Sequence, residues 1–123
     1  MMARAFEASV RHQKPRVAVL DLHGEIDAFA EEPLNVAYTQ AEGQDPEVIL
    51  LNFTDVDYIN STGIALIVGL LARARKVHRA LLACGLSAHY VEIFSITRLA
   101  DFMPVYPDEA SALAGGAKPA SPA

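Results

Sequence analysis

The chain has no tryptophan and a single cysteine, Cys84. One cysteine excludes an internal disulfide framework and a multi-cysteine zinc site. The histidines His12, His23, His78 and His89 show no recognised ligand spacing, so no metal is expected. A Walker loop and a Gly-x-Gly-x-x-Gly turn are both missing, and no cofactor is expected. No apolar run reaches the roughly 18 residues needed to span a membrane. The opening Met1 to Phe6 has no apolar signal-peptide core. These absences predict a cytoplasmic protein without membrane insertion. Positive charge is also missing over a long stretch: Asp21 to Asp57 holds ten acidic residues and no Lys or Arg. With a net charge of -5, the chain lacks the basic balance that nucleic-acid binding needs. The acidic block suits a basic protein partner, or simply solvates loops and helix starts.

What is present fits one domain. The 123 residues are 52% hydrophobic, enough for a real core. Residues 1–114 are read as the domain. The Gly/Ala/Pro/Ser-rich stretch from Gly115 to Ala123 is read as a disordered tail.

The first strand lies around Phe6 to His12, and Gln13-Lys14-Pro15 reads as a turn. Val17 to Leu22 is a nearly continuous apolar strand, so the pair predicts an antiparallel hairpin ended by Gly24. Glu31-Glu32-Pro33 opens a helix, because proline and acids both suit a first turn. Its apolar positions are Leu34, Ala37, Tyr38 and Ala41, with Gly43 as C-cap. Val48 to Phe53 is the strongest strand and reads as buried on both faces. Thr54 to Asn60 is expected to be a loop, and Ser61 to Val77 a long helix. Leu81 to Cys84 is a strand closed by Gly85, and Leu86 to Phe94 a shorter helix. Phe102 to Tyr106 is a final strand that Pro104 confines to an edge. Asp108-Glu109 opens a last helix ending near Leu113. Strands alternating with helices imply an α/β fold with right-handed crossovers. The expectation is a mixed sheet of about five strands with about four helices packed mainly on one face.

The Ser61 helix is the informative element. Ile64, Ile67, Val68, Leu71 and Ala74 share a side and are expected to pack on the sheet. Leu66, Leu70 and Val77 widen that arc to one flank. Ala65, Gly69 and Ala72 form the other flank. Mid-helix glycine costs about 1 kcal/mol relative to alanine, so close approach of another surface should compensate at Gly69. A neighbouring element or a partner protein would serve. At the helix start stands Asn60-Ser61-Thr62-Gly63, in which Asn or Ser can cap the first free N–H groups. A phosphate there would meet the positive end of the dipole, worth about 0.3–1 kcal/mol. It would also add between about -1.5 and -2 charges near Asp55 and Asp57. At about 7 Å and a dielectric of about 20, each like-charge pair costs about 2 kcal/mol. Repulsion matches or exceeds the dipole if those acids point inward.

These motifs together resemble the STAS domain family, specifically the bacterial anti-sigma factor antagonists. Gly24-Glu25-Ile26-Asp27 matches its Gly-Glu-Leu/Ile-Asp turn. Asn60-Ser61-Thr62-Gly63-Ile64 matches its Asp-Ser-Ser/Thr-Gly-Leu/Ile helix start. Leu82 to Ser87, and Leu99 to Phe102 with Val105-Tyr106, match its later strands. The resemblance implies a regulatory module, not an enzyme. It implies binding to an anti-sigma factor that is also a serine kinase of the histidine-kinase-like ATPase type, which frees a sigma factor. Phosphorylation at Ser61, with Thr62 as second acceptor, would abolish binding, and a serine phosphatase would restore it. The implied partner surface comprises Gly24, Glu25, Asp27, Asn60, Ser61, Thr62 and Gly63, and the Ala65–Gly69 strip suits it. Asn60 departs from the family's Asp: it keeps the cap and removes a charge.

Two other classes compete. One is a constitutive STAS module in a stressosome-type scaffold or a lipid-transport complex, where Ser61 carries no switch. The other is a serine hydrolase, which needs a base on Ser61. His23 is the nearest candidate, but no nucleophile-elbow motif supports it, so no catalytic residue is assigned.

Overall fold

The computed structural model describes residues 5–14 and 16–116. Strands β1 (Glu7–Lys14) and β2 (Val17–Ile26) form an antiparallel hairpin. A 3-10 turn (Ala28–Ala30) leads into α1 (Glu31–Glu42). Then follow β3 (Val48–Ile59), α2 (Ser61–Lys76), β4 (Ala80–Cys84) and α3 (Ala88–Ile96). A second 3-10 turn (Leu99–Asp101), β5 (Val105–Tyr106) and α4 (Glu109–Gly116) complete the order. The five strands lie in the order β1-β2-β3-β4-β5, with β2 to β5 mutually parallel.

That order explains the layers. Each parallel strand is laid beside the previous one, and each crossover is right-handed, so successive helices fall on the same side. Leu20, Leu22, Leu51, Phe53, Leu81 and Ala83 accordingly pack with residues of α1, α2 and α3 in one large core. The alternate residues Val17, Val19, Val48, Leu50, Leu82 and Cys84 face the other way and meet Ala112 and Leu113 of α4. Burial on both faces is why these strands read as continuous apolar runs.

Several boundaries differ from the expectation. Gly24 does not end β2; with φ 90 it sits at an irregularity between Gly24 and Glu25, and the strand continues to Ile26. Thr54 to Ile59 is not a loop. It extends β3 against β2 through two register irregularities, and most of it is exposed because pairing with β4 has ended at Asn52. Gln13 and Lys14 belong to β1 and not to the turn; Pro15 lies outside the described residues, and Arg16 precedes β2 with φ 74. Helix α3 begins two residues later than expected, because Ser87 caps it by accepting from the Tyr90 N–H at 3.4 Å. Phe102 closes the second 3-10 turn and does not join the edge strand. Helix α4 runs past Leu113 and takes in Gly115 and Gly116; residues 117–123 of the expected tail lie outside the described residues.

On α2 the buried stripe is rotated from the expected one. Gly63, Ile67, Leu70, Leu71 and Ala74 are buried, whereas Val68 is 47% and Val77 55% exposed. Leu70 therefore belongs to the buried stripe, at one edge of it, with Ile67 and Ala74 at the centre. Periodicity fixes a period but leaves the phase open by about one residue, and with Ile, Leu and Val on several sides the hydrophobic stripe does not choose it.

Candidate functional site

The site forms where β2 and β3 outrun the rest of the sheet. Strand β4 pairs with β3 only from Val48 to Asn52, and β3 then continues to Ile59 alongside β2. The ends of β2 and β3, at the carboxyl side of parallel strands, thus project beyond β4. Open parallel sheets present their binding residues at that side.

Helix α2 starts directly off this projection. The Asn60 N–H donates to the Ile26 carbonyl at 3.2 Å, tying the end of β3 to the end of β2. Asn60 has extended backbone angles, and its side-chain oxygen accepts from the Gly63 N–H at 2.8 Å. This is the N-cap that the residue type predicts. Gly63 is there for space: a Cβ would run into the Ile26 carbonyl oxygen and come within 2.9 Å of Ile59 Cγ2. Only glycine lets the first turn of α2 lie this close to β2.

Asp27 has a local task. Its carboxylate accepts from the Phe29 N–H at 2.9 Å and caps the 3-10 turn, which packs against α2. The Gly24–Asp27 segment and the Asn60–Gly63 segment are therefore brought together, as expected of one surface. Gly24 is buried in the backbone of that surface, and Glu25 is partly exposed on it.

Ser61 and Thr62 are both exposed at the first turn. From them an exposed strip runs along α2 through Ala65, Val68, Gly69 and Ala72. Among the described residues, and apart from the helix's own backbone, nothing lies within 4 Å of a Cβ placed on Gly69. Among the described residues, close approach of a neighbouring element therefore does not account for that glycine. The basic residues Arg73, Arg75 and Lys76 lie at the opposite end of the helix, its negative pole. Arg73 and the largely buried Arg79 reach across to Glu42 on α1, at 3.3 Å for Arg79.

Of the two acids expected to oppose a phosphate, Asp55 is engaged elsewhere. Asp55 bonds His23 Nδ1 at 2.7 Å. His23 follows Asp21 on the α4 side of β2 by strand alternation, so Asp55 is drawn toward that side and away from α2. The same bond engages the histidine considered as a base for Ser61. His89 instead lies edge-on to the Tyr90 ring, with centroids 4.8 Å apart. Among the described residues, no group of three or more His, Cys, Asp or Glu is placed to hold a metal ion. Nor, among them, is any helix long and apolar enough to cross a membrane.

Two features escaped the sequence reading. Tyr90 on α3 anchors the last residue of β3 through its hydroxyl; a lone tyrosine in an apolar helix carries no sign of that long-range contact. Phe29, in the 3-10 turn, is 90% exposed, the largest exposure among the large apolar side chains of the described residues. Its place within an acidic segment was the available signal.

Residues 9–112 match the STAS domain family, and the chain belongs to it. An anti-sigma-B factor antagonist of Listeria monocytogenes is 30% identical over 82 residues, which cover 67% of this chain and 72% of that protein. An anti-sigma factor antagonist from Mycobacterium paratuberculosis has the same fold, with TM-score 0.72, 20% identity, and coverage of 89% of this chain and 92% of that one. The Bacillus cell fate determinant SpoIIAA in its phosphorylated form is similar too, with TM-score 0.68, 21% identity, and coverage of 87% and 96%.

Proposed function

We propose that this protein is an anti-sigma factor antagonist. It binds an anti-sigma factor that is also a serine kinase of the histidine-kinase-like ATPase type, and it is switched off by phosphorylation of Ser61. The observation that carries the reading is the exposed first turn of α2, where Ser61 opens a strip of small residues beside the Asp27 turn. A small, neutral strip admits close approach of a partner backbone, and among the described residues nothing crowds the glycine at position 69. The names of the matched relatives support the same assignment. Thr62 is the second acceptor, and a serine phosphatase would reset the switch.

A phosphate on Ser61 would be welcomed by the helix N-terminus. Its bulk and its charge would hold a partner backbone off the strip of small residues, so the interface is lost without refolding of the domain. The test is titration of the anti-sigma factors encoded in the source organism with the unmodified protein, Ser61→Ala and Ser61→Asp. The parent and Ser61→Ala should bind one of them, and Ser61→Asp should not. Incubation with ATP should then modify Ser61 in the parent and abolish the complex. Equal binding by all three proteins would instead identify a constitutive module.

A further inference from the structure

The geometry points to Phe29 as the apolar anchor of the partner interface, inserting into an apolar pocket rimmed by Lys or Arg on the anti-sigma factor. The inference rests on the function proposed above and names a contact that the helix start alone does not supply.

Four observations carry it. First, the ring is 90% exposed, while the flanking Ala30 is fully buried, so the turn beneath it is fixed to the core. Second, the Phe29 N–H is held by the Asp27 carboxylate, so the ring stands on a capped turn and not on a free loop. A preorganised aromatic side chain loses little freedom on binding, which is what marks it out as an anchor. Third, the turn packs against α2, and its preceding carbonyl, that of Ile26, receives the Asn60 N–H. The ring and Ser61 therefore belong to one end of the molecule. Fourth, Glu25, Asp27, Glu31 and Glu32 lie within four residues of Phe29, and no Lys or Arg occurs from Val17 to Ala72. An aromatic ring inside an acidic rim is complementary to an apolar pocket inside a basic one. A partner lacking that rim would leave the acids opposed to neutral or like charge.

The same anti-sigma factor titration, run with Phe29→Ala and Glu31→Gln/Glu32→Gln, tests it. Loss of a central aromatic anchor weakens binding by about 30-fold or more. The double substitution should leave binding measurable but flatten its dependence on salt. Val36→Ala, which trims an exposed apolar side chain on α1, should bind like the parent. Since the ring touches little of its own domain, Phe29→Ala should unfold at the parent's denaturant midpoint, separating lost contact from lost fold. Phe29→Trp gives a second readout, because the chain has no tryptophan of its own. A 5-fluorotryptophan there should show a shifted fluorine resonance in the complex. If the parent binds and Phe29→Ala binds within about threefold, the anchor is wrong and the function stands. If the parent binds none of the anti-sigma factors, both fall.

Discussion

Tyr90 on α3 holds both backbone groups of Ile59, the last residue of β3. The Ile59 N–H donates to the Tyr90 hydroxyl at 2.8 Å, and that hydroxyl donates to the Ile59 carbonyl at 3.3 Å. Strand β4 has already ended at this level, so a side chain takes the place of the missing neighbouring strand. The next residue caps α2, and one hydroxyl thereby sets the position of the Ser61 turn.

Tyr90→Phe should leave those two buried groups unsatisfied. A cost of about 1–3 kcal/mol is expected, read as a lower urea midpoint at unchanged slope. The partner affinity should fall as well, since the start of α2 loses its brace.

The two glycines of α2 should respond in opposite ways. Gly63→Ala forces a methyl group against the Ile26 carbonyl, and overpacking of this kind costs about 1–3 kcal/mol or more. Gly69→Ala enters open space and should raise stability by about 0.5–1 kcal/mol. If the strip docks a partner, the stabilised Gly69→Ala protein should nonetheless bind less tightly. Chemical denaturation and partner titration on the same samples check both halves.

Asn60 separates capping from charge. Asn60→Ala should cost about 1 kcal/mol, because the Gly63 N–H loses its acceptor. Asn60→Asp keeps the acceptor and adds a charge at the positive pole, for a gain of about 0.3–1 kcal/mol. Thermal unfolding of the two variants against the parent shows the sign of each.

Acid should release α4 from the sheet. Arg11 joins Asp21 on β2 to Glu109 at the start of α4, and hydrogen bonds from Arg11 hold both carboxyls below their ordinary values. For lowered carboxyls the stabilisation is present above the unfolded-state value and is lost as pH falls through the folded one. Stability should therefore decline from the ordinary values of 4.5 for Glu109 and 3.8 for Asp21 downward. In Arg11→Gln the acid-unfolding midpoint should move to higher pH, as followed by circular dichroism.

Cys84 should be inert while the protein is folded. Burial, reinforced by Glu109, pushes its thiol up to about 11. The thiolate is the reacting form, so iodoacetamide at pH 8 should label the protein only in denaturant.

The element order and the layer arrangement were legible because apolar runs and punctuation agree. Val17–Leu22, Val48–Phe53 and Leu81–Cys84 are all continuous runs, and each is buried. The end of β3 was not legible: Thr54, Asp55 and Asp57 look like loop residues, and only pairing with β2 makes them strand. Asn60 and Gly63 were readable as a cap and its turn, since their tasks are local. Val68 was misplaced and Phe29 missed, because exposure depends on which side of a helix or turn the remaining chain covers.

The strand order carries a consequence for how the molecule opens. At the outer edge, β5 contributes only Ala83↔Val105 and Cys84↔Tyr106 to the ladder, whereas β2 and β3 share a long register. Amide hydrogens should therefore exchange first near Val105, and last where Val19 and Leu20 pair with Leu50 and Leu51. The projecting end of β2 and β3, from which the Ser61 turn starts, is attached to the most durable part of the sheet. Fraying at the other edge can proceed without disturbing it.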